Sequence, residues 1–251
     1  MPRPDAADKL KAAAPKQGPS KALIASVIVA VLVIAGFAAF LVTQSKSSGS
    51  ASGAIPTGAI AGGKGLVLYP DAKLQSGAKT VNVYEDFQCP VCKQFETQNG
   101  DMMKTMAKNG QVKVVVHMMS FLDNNFGNDA SAQAANAGFC AADAGKFPEY
   151  HSTVYANQPA TEGTGYTVDQ LKSFGKDAGI TGSAYTTFVK CVDSNKYKDY
   201  VNETETQSGK DGVTGTPTFF VDGKEIDNTG TEYKTLLTQP NSFESVINSI
   251  K

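Results

Sequence analysis

The sequence predicts an α/β domain in which a strand–helix–strand unit and a hairpin–helix unit are separated by a helical block, the whole preceded by a membrane anchor. Three observations carry this. An uncharged apolar run, "ALIASVIVAVLVIAGFAAFLV", fills residues Ala22 to Val42. Two β-branched stretches, "KTVNVYEDF" and "VKVVVHMMSF", flank a segment with helical spacing. Late in the chain "TPTFFVDGKEI" holds two short runs joined by Asp222-Gly223, the dipeptide of a type I′ hairpin turn.

A chain of 251 residues has room for one good-sized domain with appendages. Residues 1–21 are rich in Ala, Pro and Lys without apolar periodicity, and are expected to be a disordered tail. The apolar run 22–42, at ~1.5 Å rise per residue, matches a hydrocarbon core of roughly 30 Å. A cleaved signal peptide would show a core of only ~7–15 residues before its small-residue site, although "SASGA" further on leaves cleavage open. Arg3, Lys9, Lys11, Lys16 and Lys21 precede the run and only Lys46 lies close behind it. The positive-inside rule then leaves the tail cytoplasmic in a single-pass membrane protein and puts the rest outside, where disulfides persist. Residues 43–65 read as a flexible Gly/Ser/Ala tether with an r.m.s. span of roughly 26 Å.

Order is expected from Leu66. "GLVLYP" is a short edge strand, and "KTVNVYEDF" a strand that ends just before two cysteines. Beyond Pro90, Phe95, Met102, Met103 and Met106 suit a helix with a break at Asn99-Gly100. The continuous apolar content of "VKVVVHMMSF" suits a strand covered on both faces. This first part spans 66–127, and residues 128–209 are a helical insertion in which Thr167 and Gln170 form a capping-box pattern. The second part, 210–251, holds the hairpin and a closing helix. Asn241 stands there as cap, Glu244 as third helical residue, and Phe243, Val246, Ile247 and Ile250 form one stripe.

The segment "DFQCPVCKQFE" places Cys89 where a strand ends and a helix begins. Pro90 fits the first helical turn, where its missing N–H is harmless. Unpaired backbone N–H groups and the positive end of the helix dipole then face the Cys89 sulfur and favour its thiolate, the nucleophilic form. Cys92, one turn on, can resolve a mixed disulfide. A zinc site would need four ligands, and His117 and His151 stand in unrelated segments, so no metal is expected. Cys140 and Cys191 remain; outside the membrane they suggest a structural disulfide closing a loop of about 52 residues, worth roughly 4 kcal/mol, against the plainer reading of two buried thiols. The net charge of −1 and the absence of a basic stripe beyond the tail argue against a nucleic-acid partner.

Thr216-Pro217, in "GVTGTPTFF", precedes the hairpin, where a trans proline at the start of a strand is ordinary. Taken with the strand–CxxC–helix, this segment resembles the thioredoxin superfamily. The set "YEDFQCPVCKQFE", "VVVHMMSF", a helical insertion and "GTPTFFVDGK" resembles more closely its DsbA-like branch of cell-envelope disulfide oxidoreductases. The resemblance covers about Thr80 to the C-terminus. It implies that Cys89 and Cys92 are catalytic, with Pro217 cis beside them and Pro90, Val91 and Thr216 as neighbours. It also implies reduced exported proteins as substrates and re-oxidation by a membrane partner of the DsbB-like or vitamin-K-epoxide-reductase-like kind. No cofactor is expected, and the soluble domain is expected to be monomeric.

Two positions depart from the family. Its members often carry His where this chain has Val91, so a milder oxidant is expected. They commonly place a buried acid six residues before the first cysteine, where this chain has Val83. Glu85 and Asp86 are nearer, and either take over proton relay or face solvent. A reductase or isomerase on the same fold is the alternative, with Thr216 compatible and the lack of an evident dimerisation domain against isomerase. A thioredoxin-like binding or chaperone module, its CxxC incidental, is a third reading.

Overall fold

The computed structural model describes residues 53–251, so the tail, the apolar run and the start of the tether lie outside the described residues. The central strand β2, Lys79–Glu85, runs parallel to β3, Val112–Met118, with Val81 opposite Val114 and Val83 opposite Val116. On its other side β2 runs antiparallel to β4, Thr218–Val221, with Val83 opposite Phe219. The edge strands β1, Leu66–Val67, and β5, Lys224–Glu225, complete the order β1-β3-β2-β4-β5. Asp222 and Gly223 both have positive φ, 49° and 83°, as a type I′ turn between β4 and β5 requires.

A parallel pair needs a crossover. Here it is one helical run: α1, Pro90–Phe95, a π-helical stretch Glu96–Gly100, and α2, Asp101–Lys108. Period-two alternation sends Val81, Val83, Val114 and Val116 into the main core with Phe95, Met103, Phe219 and Phe243. The opposite face carries Tyr84, which joins Met119 and Val213 in a small second cluster and stacks on His117 at 4.0 Å between ring centroids. His117 Nε2 lies 2.9 Å from Asn82 Oδ1, and burial lowers its pKa to about 4, so the ring is neutral.

Between β3 and β4 come α3, Leu122–Phe126; α4, Ala130–Asp143; α5, Phe147–Ala156; α6, Val168–Asp177; α7, Gly182–Asp193; and α8, Lys198–Lys210. Ala134, Ala135, Ala137 and Ala141 on α4 are completely buried, their small side chains letting the neighbouring helices approach. The Cys140–Cys191 disulfide ties α4 to α7. Both halves of the Thr167–Gln170 capping box cap α6. After the hairpin come α9, Thr231–Thr238, which the sequence reading did not anticipate, and α10, Phe243–Ser249.

Three local expectations are corrected. Asn99-Gly100 is not a break, because the backbone there stays helical and widens to a π turn. Asn99 is buried: its amide donates to Leu236 O at 2.7 Å, and its Oδ1 accepts from Phe243 N at 2.8 Å. Asn99 therefore caps α10 from another element, whereas Asn241 has a φ of 55° and no capping role. The tether does not extend to residue 65. The chain reverses at 58–67, with Ile60 N bonded to Gly65 O and Val67 N to Gly58 O, and extends the β1 edge. Tyr200 Oη donates to the carbonyls of both Ile60 and Gly65, and Thr57 bonds Asp143. Gly63, at φ 69°, lies so close to α8 that a Cβ would fall 2.2 Å from the Glu203 carbonyl carbon. Composition suggested a tether because main-chain groups hold this segment, and their partners lie far along the chain. Among the described residues no helix is long and apolar enough to cross a membrane; the candidate anchor lies outside them.

Candidate active site

Cys89 sits at the N-cap of α1 with extended backbone, and its N–H donates to Asp86 O at 2.9 Å. Its sulfur accepts from Cys92 N at 3.4 Å and lies 3.4 Å from Thr216 O. The Thr216–Pro217 peptide is cis. Both thiols are free, Cys89 5% exposed and Cys92 fully buried. A hydrogen bond from the Cys92 thiol lowers the Cys89 pKa to about 6, helped by Thr216 and by the amides of Cys92 and Val91, and together these outweigh burial. Thr216 can serve either state of the sulfur. Its carbonyl accepts from the thiol, and its hydroxyl, buried without another partner, can donate to the thiolate. Cys92 moves the other way: burial, then Cys89 and Glu85, raise its pKa well above the ordinary thiol value. The helix thus holds one thiolate and one thiol.

The loop carrying Cys89 is clamped by the helical insertion. Gln158 Nε2 donates to Phe87 O at 2.8 Å and to Cys89 O at 3.0 Å; Tyr166 Oη also donates to Phe87 O, at 2.9 Å. Tyr155 Oη donates to Asp86 O at 3.2 Å. These donors lie some 70 residues away from their acceptors, and no motif announces them. Pro90 and Val91 form the exposed rim beside the buried sulfurs, Val91 being 37% exposed.

Glu85 and Asp86 do not face solvent: both are completely buried. Their surroundings differ. Asp86 accepts from Ser131 Oγ at 2.6 Å, Gln88 N at 2.8 Å and Leu122 N at 3.4 Å, which ties both its oxygens into the fold. Burial still raises its pKa to about 7. Glu85 Oε2 lies 2.9 Å from His151 Nε2, while Oε1 has no partner. Burial first, then the charge of Cys89, raise the Glu85 pKa well above the carboxylate range. At the position where the family keeps its acid, Val83 is buried in the apolar core.

Although His151 stands in an unrelated segment of the sequence, the fold brings it between two carboxylates. Its Nδ1 lies 3.6 Å from Glu96 Oε2, and one ligand atom from each of Glu85, Glu96 and His151 falls within a 4.8 Å cluster. At 2.9 Å the Glu85–His151 contact is hydrogen-bond distance, shorter than the roughly 3.3 Å between two ligands at ~2.0 Å from a tetrahedral zinc. A shared proton fits this group better than a metal does.

A thiolate and a buried thiol at the start of one helix, opposite a cis X–Pro peptide that leads into β4, have the geometry of a dithiol–disulfide exchange centre. Residues 75–239 match the family model described as Thioredoxin. The chain belongs to the thioredoxin family. Its structural neighbours are DsbA-family thiol–disulfide oxidoreductases. MdbA, a thiol-disulfide oxidoreductase from Corynebacterium matruchotii, is 26% identical with a TM-score of 0.58, over 72% of this chain and 91% of that one. Oxidised DsbA from Mycobacterium tuberculosis is 25% identical with a TM-score of 0.53, over 72% and 95%. MdbA from Actinomyces oris, 20% identical with a TM-score of 0.61 over 78% and 97%, shares the fold. No curated protein matches the chain.

Proposed function

We propose that the chain is an extracytoplasmic thiol–disulfide oxidoreductase that passes its Cys89–Cys92 disulfide to reduced exported proteins. The observation that carries this reading is the placement of the two sulfurs: Cys89 at the N-cap of α1, its Sγ accepting from Cys92 N and facing Thr216 O of the cis peptide, and Cys92 fully buried one turn on. Depressing the Cys89 pKa stabilises the reduced enzyme relative to its disulfide, which makes the disulfide a better oxidant. A substrate thiolate attacks Cys89 Sγ, the Cys89–Cys92 bond breaks, and the electron pair goes to Cys92 Sγ, which takes up a proton. A second substrate thiolate then attacks the substrate sulfur of the mixed disulfide, and Cys89 leaves as thiolate. The cis segment at Thr216–Pro217 is the surface against which the substrate chain lies, with Pro90 and Val91 as the rim. Glu85, rather than the fully bonded Asp86, is the proton donor nearest in chemistry to Cys92.

The apolar run 22–42 anchors the domain, with the tail cytoplasmic and residues 53–251 outside, a placement supported by the flanking charges and by the Cys140–Cys191 bridge. A membrane partner takes the two electrons and regenerates the disulfide. Replacing Cys89 with Ala is expected to abolish oxidation of a dithiol peptide, and Cys92→Ala to accumulate mixed disulfides visible by mass spectrometry. Full oxidase activity in the Cys89→Ala protein would overturn the assignment.

A further inference from the structure

We propose that His151 and Glu96 extend Glu85 into a proton relay running from the Cys92 sulfur to the Lys104 flank of the domain. The proposal rests on the exchange reading above and deepens it.

The geometry is a chain of three buried groups from three elements. Glu85 ends β2, His151 lies on α5 and Glu96 opens the π-helical stretch; Glu85 and His151 are 0% exposed and Glu96 5% at the side chain. Contacts of 2.9 Å and 3.6 Å join them in series through the two nitrogens of one imidazole. Glu85 Oε1, His151 Nδ1 and Glu96 Oε1 are each buried without a hydrogen-bond partner, so each has capacity for a proton. Phe87, Phe147 and Tyr155 wall in the ring, their centroids 5.0–5.5 Å away.

The backbone makes room for this arrangement. The π stretch begins at Glu96, and π turns recur where a helix has to redirect a functional side chain. Gly100 closes the stretch, and a Cβ there would fall 2.4 Å from Glu96 Oε2, in the space the carboxylate occupies. Beyond Glu96 lies Lys104, which bonds Ser152 Oγ, pairs with Asp101 at 3.0 Å and is 16% exposed. Besides the three relay groups, Cys89 and Cys92 on α1, Asp101 and Lys104 on α2, and Tyr155 on α5 bear on them electrostatically.

When the Cys89–Cys92 bond breaks, Cys92 Sγ takes the proton of the Glu85 carboxyl. The His151 Nε2–H passes to Glu85 Oε2, Nδ1 takes the proton of Glu96, and water at the Lys104 flank reprotonates Glu96. The imidazole stays neutral and changes tautomer, as a ring whose pKa is lowered by burial requires. Re-oxidation runs the same chain outward.

Imidazole 15N spectra of the full chain test this in both redox states, set with dithiothreitol or diamide, from about pH 5 to 9. The chain has two histidines, and His117→Gln assigns them. Reduction is expected to exchange the protonated and unprotonated ring signals of His151; one unchanged tautomer in both states would overturn the relay. In stopped-flow reduction by a dithiol peptide, His151→Gln and Glu96→Gln are each expected to be roughly tenfold slower near pH 7, below the 10²–10⁴ of a direct general acid. The Cys89 thiolate midpoint should stay at about 6. Wild-type rate and pH profile in either folded variant would also overturn it. If the wild-type chain fails to oxidise the peptide, the exchange reading fails instead, and the 15N spectra still decide the relay.

Discussion

At the scale of single residues, the chemistry rests on an asymmetry between two identical side chains. Cys89 caps the helix that follows β2 and meets amides, the Cys92 thiol and Thr216; Cys92 lies one turn on, fully buried, where the charge of Glu85 bears on it. Both positions were legible in the sequence, because "DFQCP" places a strand end, a cysteine and a helix-starting proline in succession. The relay was not legible: Glu96 falls one helical turn after Cys92, but His151 lies far along the chain and reaches Glu85 and Glu96 only through packing. Two predictions belong at this scale. The ordinary thiol value near 9 falls to about 6 in folded, reduced protein. A depressed acid stabilises the fold fully above its unfolded pKa and loses that stabilisation as pH falls through its folded pKa. The reduced form should therefore gain stability over the oxidised form as pH rises from about 6 to 9, by at most about 4 kcal/mol. Urea unfolding of the two forms measures this, and a flat difference across that window would contradict it. Val91 leaves the thiolate without a side-chain donor from between the cysteines. Val91→His, adding a hydrogen bond of about 1.5–3 kcal/mol to a charged sulfur, should make the couple more oxidising by roughly 30–60 mV. An unchanged or lowered potential would show that position 91 does not reach Cys89.

At the scale of elements, the strands and the hairpin followed from period-two patterning and Asp222-Gly223, and α6 from its capping box. The misses share a cause. Asn99-Gly100 reads as a helix breaker by local preference, yet tertiary demand sets both residues: Asn99 bonds Leu236 and Phe243, and Gly100 leaves space for the Glu96 carboxylate. A helix whose cap comes from another element cannot show a cap in its own sequence, which is why Asn241 misled. Removing Asn99 leaves the Leu236 carbonyl and the Phe243 amide without that partner in a buried site. Asn99→Ala should cost about 2–3 kcal/mol in urea unfolding, whereas a loss below about 0.5 kcal/mol would mean that Asn99 does not hold α10.

At the scale of the whole domain, the insertion both covers the sheet and completes the site. Its Gln158, Tyr155 and Tyr166 hold the Cys89 loop, its His151 meets Glu85, and its own halves are tied by Cys140–Cys191. The sequence marked the insertion by its helical, Ala-rich character, but not its part in the site, since long-range contacts leave no periodicity. Residues 54–65 show the same limit: they looked like linker because their anchors, Tyr200 and Asp143, lie far along the chain. The central claim is that this domain gives its disulfide away. Equilibrating Cys89–Cys92 against a glutathione redox series tests it most directly. The account predicts a potential on the oxidising side, between about −180 and −120 mV, and a value near −270 mV would contradict it by making the pair a reductant.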